Sequence, residues 1–183
     1  SRIFHASPDA ILITRNVADG LKKIRGAKPD LLSASAVGYY GFHGDEMLSE
    51  NDIPGEDFLA SVCRDWEAEA MKAADSGSRV VITRFGVILD SGGGALDLLA
   101  RLFRMRMGNR LGSGRQWFSW IHADDLVAAF LYLLVKRKIN GPVNITAPAP
   151  VTNRELTRAL NRALGTFPLV PPAPGFLLKL ALG

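Results

Sequence analysis

The chain has 183 residues, of which 48% are hydrophobic and 22% charged, a composition that excludes a disordered protein and fits one main globular domain. Its formal net charge of +4 permits an anionic ligand, but it does not distinguish a nucleotide from a sugar phosphate or a nucleic acid. Because Cys63 is the single cysteine, we expect no disulfide, no metal site and a cytoplasmic location. The longest apolar run, Leu126–Val135, is too short to cross a bilayer, so we expect no membrane association.

The first half of the chain predicts two helices on either side of a short strand. A helix is expected from Asn16, as its N-cap, to Ile24, because apolar residues recur there at helical spacing. Asp30–Ala36 is a run of apolar and small residues that predicts a strand leading into a turn-rich stretch. From Phe58 onward, apolar residues return to one face every three or four positions, which predicts an amphipathic helix.

A second strand and two more helices are predicted in the middle of the chain. Arg79–Leu89 is nearly continuously apolar and rich in β-branched residues, which is typical of a strand buried on both faces of a parallel sheet. Three glycines then precede a helix expected from about Leu96 to Met107. Trp117–His122 is expected to be extended, and Ala123–Val135 to be a helix whose first turn carries two aspartates at its positive end.

The last part of the chain predicts one more strand and one more helix. Gly141–Thr146 is expected to be a strand, and the spacing of Thr152 and Glu155 is that of a capping box for a helix that ends at Gly165. A proline-rich hinge, residues 168–174, and an apolar segment, residues 176–182, follow it. Strands that alternate with helices indicate an α/β fold with a mainly parallel sheet.

Six segments of the chain together resemble one family, the epimerase-like group of extended and atypical short-chain dehydrogenases/reductases, also called the NAD-dependent epimerase/dehydratase family. Some of its members are described as sugar-nucleotide epimerases or as SulA-type cell-division inhibitors. The segment Gly112–Leu126 is the most specific, because GRQW leads there into WIHADDL. The other segments are Ser33–Gly41, Asp57–Ala70, Thr83–Leu89, Gly92–Leu96 and Asn144–Leu156.

The resemblance implies a Rossmann-like parallel sheet with flanking helices and a cofactor that is NADP(H) or NAD(H). Residues 1–166 would be the C-terminal part of the NAD(P)-binding domain, and residues 167–183 the start of a small C-terminal domain. The chain contains no glycine-rich fingerprint for the pyrophosphate, and only three buried strands are evident where a doubly wound fold has about six. We therefore expect the N-terminal half of the fold, with the phosphate anchor, to lie upstream of Ser1.

The resemblance places the family's catalytic groups on residues that differ from the usual ones. With Glu67 as the anchor, the tyrosine of the family's Tyr-x-x-x-Lys falls at Leu59 and its lysine at Cys63, and neither side chain can perform the proton transfer. Ser35 matches the serine that lines the nicotinamide site, where it either bonds the substrate or only lets the strand approach the cofactor. Tyr40 resembles the tyrosine of the epimerase V-Y-G turn, and either replaces the missing acid or packs beneath the loop.

The remaining predicted site residues divide into a cofactor group and a substrate group. Gly86 would allow backbone atoms to approach the nicotinamide, whereas Arg84 either lies at that edge or forms an ion pair beneath it. Arg115 would bind a diphosphate, and His122 either contacts the substrate or caps the helix at Ala123. The cofactor group is Ser33, Ala34, Arg84, Phe85, Gly86 and Val87. The substrate group is Tyr39, Arg115, Gln116, Trp117 and His122.

These features favour an NAD(P)-binding oxidoreductase that acts on a small polar or nucleotide-sugar-like ligand, in a monomer or homodimer. The missing tyrosine and lysine motivate an alternative, a non-catalytic NADP(H)-binding regulator or sensor. A third hypothesis, nucleic-acid binding, rests on the arginines between Arg101 and Arg115, and it is disfavoured because the apolar residues among them have helical spacing.

Overall fold

The computed structural model of the chain describes residues 8–171, which form two compact units. The first contains the described residues through Phe85 together with Val127–Ile145, and the second contains Gly86–Leu126 and the described residues from Thr146 onward. The α-helices are α1 (Pro8–Lys23), α2 (Phe58–Met71), α3 (Gly94–Arg104), α4 (Ala123–Val135) and α5 (Asn153–Leu164). The strands are β1 (Leu31–Ala36), β2 (Val80–Phe85), β3 (Val87–Asp90), β4 (Trp117–Phe118), β5 (Trp120–His122), β6 (Gly141–Ile145) and β7 (Val151–Thr152).

The first unit contains a three-stranded sheet in the order β1-β2-β6. Both pairs of neighbouring strands are parallel, and the register places Leu31 beside Val80 at the amino ends and Ala36 beside Phe85 at the carboxyl ends. Helices connect the strands, as parallel pairing requires. The predicted α/β class and parallel sheet are confirmed.

One face of β2 changes from apolar to charged along its length. Near the amino end its side chains enter a hydrophobic core with α1 and α2. The buried members of that core are Ala18, Ala70, Ala73, Val80 and Ile82. Because side chains alternate along a strand, Arg84 projects from the same face as Val80 and Ile82. The hydrophobic core therefore gives way to a buried charge at the carboxyl end of the sheet.

The prediction that α1 begins at Asn16 is wrong, because the helix starts at Pro8. Its inward face includes Ala18, which is fully buried, whereas Val17 is 45% exposed. Polar contacts to α2 extend that face toward the start of the helix: Trp66 Nε1 donates to Thr14 Oγ1 at 2.7 Å. An apolar pattern alone misses a helix face that is completed by polar contacts.

Arg79 connects the amino end of the sheet to the C-terminal end of α4 through hydrogen bonds. Its guanidinium donates to the carbonyl oxygens of Leu133 and Ile139 at 2.9 and 2.8 Å, and forms an ion pair with Asp30 at 3.0 Å. Cations near a helix C-terminus satisfy carbonyl groups that have no partner within the helix. This contact fixes the end of the sheet opposite to the one where ligands bind in parallel α/β folds.

The second unit contains two small sheets, a parallel pair of β3 with β5 and an antiparallel pair of β4 with β7. The single strand predicted over Arg79–Leu89 is therefore wrong in one respect, because it breaks at Gly86 into β2 and β3. A Cβ atom at Gly86 would lie 2.7 Å from the backbone of Ser119, and Val87 N–H donates to the Ser119 carbonyl at 2.9 Å. The close approach to a neighbouring segment explains the break.

Several local predictions are confirmed. Helix α4 has the predicted bounds, and the capping box of α5 is formed, with the Glu155 carboxylate accepting from Thr152 N–H at 2.7 Å. Gly165 ends α5 in the left-handed conformation, φ 61°. Within residues 8–171, no helix is both long enough and apolar enough to cross a bilayer. The apolar segment predicted over residues 176–182 lies outside the described residues.

We predict that Gly86→Ala destabilises the protein, because the new Cβ meets backbone atoms that cannot rotate away. The expected loss is about 1–3 kcal/mol in the free energy of unfolding, measured by urea denaturation. Gly20→Ala in α1 is the matched control: nothing lies within 4 Å of its Cβ position, and alanine should stabilise the helix by up to about 1 kcal/mol. Equal stabilities of the two variants would contradict this account of Gly86.

Candidate functional site

A row of three polar residues crosses the sheet of the first unit near its carboxyl edge. Ser35 pairs in register with Arg84, and Arg84 with Asn144, and each is the next-to-last residue of its strand. Ligands of parallel α/β sheets bind outside this end of the strands. The row therefore lies at the end of the sheet where parallel α/β folds have their ligand-binding and catalytic residues.

Glu67 of α2 joins the row through a buried ion pair. Arg84 Nε and Nη2 donate to the two carboxylate oxygens of Glu67 at 2.9 and 2.8 Å, which is a bidentate arrangement. Ser35 Oγ donates to Glu67 Oε1 at 2.6 Å. Arg84 is 3% exposed, Glu67 8% and Ser35 0%. The alternative reading of Arg84, an ion pair within the protein, is the one that the structure shows.

The rest of the Arg84 guanidinium contacts the turn after β1 and the neighbouring strand. Nη1 donates to Tyr40 Oη at 3.0 Å and to the Glu50 carbonyl at 3.3 Å, and Tyr40 Oη donates to Asn144 Oδ1 at 2.7 Å. The guanidinium carbon also lies 3.4 Å from the ring centroid of Tyr39, in a cation–π contact. One arginine thus connects α2, the turn and, through Tyr40, strand β6.

The hydrogen bonds keep Arg84 charged although it is buried. Burial by itself lowers the pKa of Arg84, but the hydrogen bonds that it donates to Glu67 and Tyr40 outweigh that effect and raise its pKa above the ordinary arginine value. Of the residues that the structure describes, Ser78 has the one buried side-chain polar atom without a partner, so the cluster leaves no buried polar atom unpaired.

The two predicted catalytic hydroxyl groups, those of Ser35 and Tyr40, both belong to this bonded cluster. Ser35 is fully buried against Glu67, and Tyr40 is 3% exposed. Each hydroxyl would have to leave its acceptor before it could donate a proton to a ligand. Of the two readings of Tyr40, packing beneath the loop describes its placement, while catalytic roles for Ser35 and Tyr40 stay predictions.

Leu59 and Cys63, which are predicted to occupy the family's tyrosine and lysine positions, lie beside the turn that follows β1. The Cβ position of Gly38 is 3.9 Å both from Leu59 Cβ and from Cys63 Sγ. Leu59 is 47% exposed, whereas Cys63 is 5% exposed. Burial raises the pKa of the Cys63 thiol, and the negative charge of Glu67 adds to the shift, so the thiol is protonated at neutral pH and is no nucleophile.

A Tyr-x-x-x-Lys spacing does occur elsewhere, at Tyr132 in the last turn of α4 and Lys136, the residue after that helix. Arg79, which precedes β2, donates to the Lys136 carbonyl at 3.3 Å, so this pair lies at the amino end of the sheet. Tyr132 is 56% exposed. The spacing is therefore present at the end of the sheet opposite to the candidate site.

The predicted cofactor-contacting residues other than Arg84 fall in both units. Ser33 is buried, and its carbonyl accepts from Thr83 Oγ1 at 3.0 Å, while Ala34 and Phe85 are half-buried. Gly86 and Val87 belong to the second unit, where their backbone approaches Ser119. The close approach of Ser119 accounts for glycine at position 86, and contact of its backbone with a nicotinamide stays a prediction.

The predicted substrate-contacting residues lie in the second unit, apart from Tyr39. Arg115, Gln116 and Trp117 are exposed, with Gln116 Nε2 donating to the Leu111 carbonyl at 3.0 Å. His122 Nδ1 accepts from Asp124 N–H at 3.2 Å at the start of α4, which is a helix-capping contact, and contact of His122 with a substrate stays a prediction. Sequence reasoning missed Asn144 and Glu50; the available signal for Asn144 was a polar residue between the apolar residues Val143 and Ile145 of β6.

Comparisons with known proteins agree with this architecture. A family model described as "NAD dependent epimerase/dehydratase family" matches residues 7–146. An epimerase family protein of Mycobacterium bovis is 48% identical over 144 residues, which are 78% of this chain and 48% of that protein. The chain spans about half the length of the relatives that it matches.

Two solved structures of similar sequence share the fold. A nucleoside-diphosphate sugar epimerase from Corynebacterium glutamicum is 38% identical with a TM-score of 0.77, and the match covers 99% of this chain and 41% of that one. A human epimerase family protein, crystallised with NADPH, is 30% identical with a TM-score of 0.84, covering 93% of this chain and 58% of the human one.

We predict that Tyr40→Phe destabilises the protein by about 1–3 kcal/mol, because it leaves a buried Arg84 N–H and the Asn144 Oδ1 atom without their shared partner. Urea denaturation measures the loss. Tyr132→Phe is the matched control, since its exposed ring should make the same change cost less than about 0.5 kcal/mol. A Tyr40→Phe variant as stable as Tyr132→Phe would show that the hydroxyl does not hold the cluster.

Proposed function

The chain belongs to the NAD-dependent epimerase/dehydratase family, and from this premise we propose that it forms the nicotinamide-side part of an NAD(P)(H)-binding protein. Its ligand is a small polar molecule or a nucleotide sugar. The observation that carries the proposal is the parallel pairing of β1 and β2, whose carboxyl ends meet beside the turn at Gly38. A crevice outside such strand ends is where this class of sheet binds dinucleotides. The human relative crystallised with NADPH supports the cofactor.

At this edge the hydrogen-bonded cluster holds the turn after β1 in place, and the turn forms the surface that contacts the ligand. Arg84 holds the ring of Tyr39, which is half-buried, against one face of its guanidinium. Leu59 presents an apolar, half-exposed side chain next to Gly38. A flat aromatic ring and an apolar side chain suit the face of a nicotinamide, which is itself flat and weakly polar. When bound, the cofactor would supply hydride transfer.

A second candidate function, a non-catalytic NADP(H)-binding regulator or sensor, is favoured by what this edge lacks. Leu59 has no proton to donate, and the thiol of Cys63 is neutral. The hydroxyls of Ser35 and Tyr40 already donate hydrogen bonds to Glu67 and Asn144. Proton transfer by either hydroxyl requires it to exchange its protein partner for the ligand. A regulator that senses the NADPH to NADP⁺ ratio, for example in cell division, would need binding alone.

The cofactor proposal predicts that NADPH binds saturably to the full-length protein that contains this chain, and that a negative charge at Leu59 weakens the binding. NADPH carries several phosphate charges, so Leu59→Glu should raise its Kd by about tenfold or more through like-charge repulsion at the contact. Enhancement of the NADPH fluorescence measures the Kd. Leu12→Glu is the matched control, because Leu12 is 52% exposed in α1 and should leave the Kd unchanged.

The same samples separate the two candidate functions. Loss of nicotinamide absorbance with a panel of carbonyl compounds and sugar nucleotides measures turnover, and its abolition in Ser35→Ala or Tyr40→Phe supports the oxidoreductase. Saturable binding without turnover supports the regulator. Absence of saturable NADPH binding, or equal Kd values for Leu59→Glu and Leu12→Glu, would contradict the proposed cofactor site.

A further inference from the structure

Six exposed basic residues lie at the amino end of the three-stranded sheet, at the opposite end from the candidate site. Three connections meet there: the one from α1 to β1, the turn before β2 and the turn between α4 and β6. Arg79 donates to the Ile139 carbonyl at 2.8 Å, and Arg79 and Arg137 both pair with Asp30, at 3.0 and 2.9 Å. The six residues, called the basic surface below, are Lys22, Lys23, Arg25, Lys136, Arg137 and Lys138.

Few carboxylates balance the charge of the basic surface. Besides Asp30, two aspartates lie on neighbouring segments: Asp19, which pairs with Lys22 at 3.1 Å, and Asp75. Within residues 8–171, no acidic side chain lies within 4.0 Å of the charged groups of three members of the surface, which are Lys23, Arg25 and Lys138. The basic surface therefore keeps a surplus of positive charge that is open to solvent.

The two helices that end here obtain their capping cations from other residues. A cation near a helix C-terminus satisfies carbonyl groups that have no partner within the helix. At the end of α1 this is Lys28, whose Nζ donates to the Leu21 and Ile24 carbonyls at 3.0 and 2.5 Å. At the end of α4 it is Arg79, which donates to the Leu133 carbonyl at 2.9 Å. The six exposed cations are therefore not required as helix caps.

Exposed apolar side chains lie among the cations of the basic surface. Ile24 stands between two of them in the sequence and is 40% exposed, and Val135, which directly precedes Lys136, is 76% exposed. The half-exposed ring of Tyr132 has its centroid 5.7 Å from Lys136 Nζ, in a cation–π contact. Lysine and arginine next to exposed aliphatic and aromatic side chains are typical of proteins that bind at the interface of an anionic bilayer.

We propose that the basic surface docks on the headgroups of an anionic phospholipid bilayer, with Ile24 and Val135 entering the interface. Four of the six cations are lysines, which are hydrated point charges and suit mobile lipid phosphates better than the fixed geometry of a base edge. Exposed aliphatic side chains gain from a lipid interface, whereas a nucleic-acid backbone offers them only phosphate and sugar. Binding of this kind needs no spanning segment, which was the basis for expecting no membrane association. The proposal is independent of cofactor binding, since the surface lies at the other end of the sheet.

Co-sedimentation of the full-length protein that contains this chain with lipid vesicles tests the proposal. We expect binding to vesicles of equimolar phosphatidylglycerol and phosphatidylcholine, and none to phosphatidylcholine alone. Each basic residue near such a surface is worth about fivefold in affinity, so the double variant Lys23→Gln/Lys138→Gln should bind about 25-fold more weakly. Arg104→Gln/Arg162→Gln is the matched control, because it removes the same charge from the last turns of α3 and α5. Its affinity should equal that of the unchanged protein.

Ile24→Gln separates a lipid surface from other anionic partners, because it changes no charge. It should weaken binding to the anionic vesicles and leave the affinity for a DNA duplex unchanged. Vesicle binding that Ile24→Gln does not alter would overturn the proposal, and so would tighter binding to a DNA duplex or to polyglutamate than to the vesicles. Equal weakening by the two double variants would also overturn it, because the attraction would then be a property of the net charge.

Discussion

The buried ion pair between Glu67 and Arg84 is the interaction on which the carboxyl end of the sheet depends. Four of its atoms meet in two hydrogen bonds of 2.8 and 2.9 Å, and the pair is almost fully buried. Removing one partner of such a pair costs about 3–5 kcal/mol, a large part of the stability of a typical domain. Because Ser35 and Tyr40 bond to the same two side chains, the pair also fixes the end of β1 and the turn after it.

This arrangement gives the polar cluster a structural role at a place where the fold usually performs chemistry. The hydroxyl groups of Ser35 and Tyr40 have partners within the protein, and Leu59 and Cys63 are the residues predicted at the family's tyrosine and lysine positions. What remains open to a ligand is the turn, with a half-buried Tyr39 and an exposed Leu59. Binding is therefore better supported by this edge than proton transfer is.

The sequence predicts what local patterns determine, and it predicts less where distant segments meet. The bounds of α4 and the capping box at Thr152 depend on neighbouring residues, and both are confirmed. The break at Gly86 is missed, since apolar residues continue through it and the cause is the backbone of Ser119. An ion pair of Arg84 could be foreseen only as one of two alternatives, and its partner Glu67 could not, because the contact depends on how a helix packs on a sheet.

A double-mutant cycle with Glu67→Gln and Arg84→Gln, measured by urea denaturation, tests the central claim most directly. If the pair organises this edge, the two substitutions are strongly non-additive, with a coupling free energy of about 2 kcal/mol or more. Once one partner is gone, the second substitution removes a buried group that no longer has its counter-charge. Additivity within about 0.5 kcal/mol would show that the two side chains contribute independently, and would contradict the account.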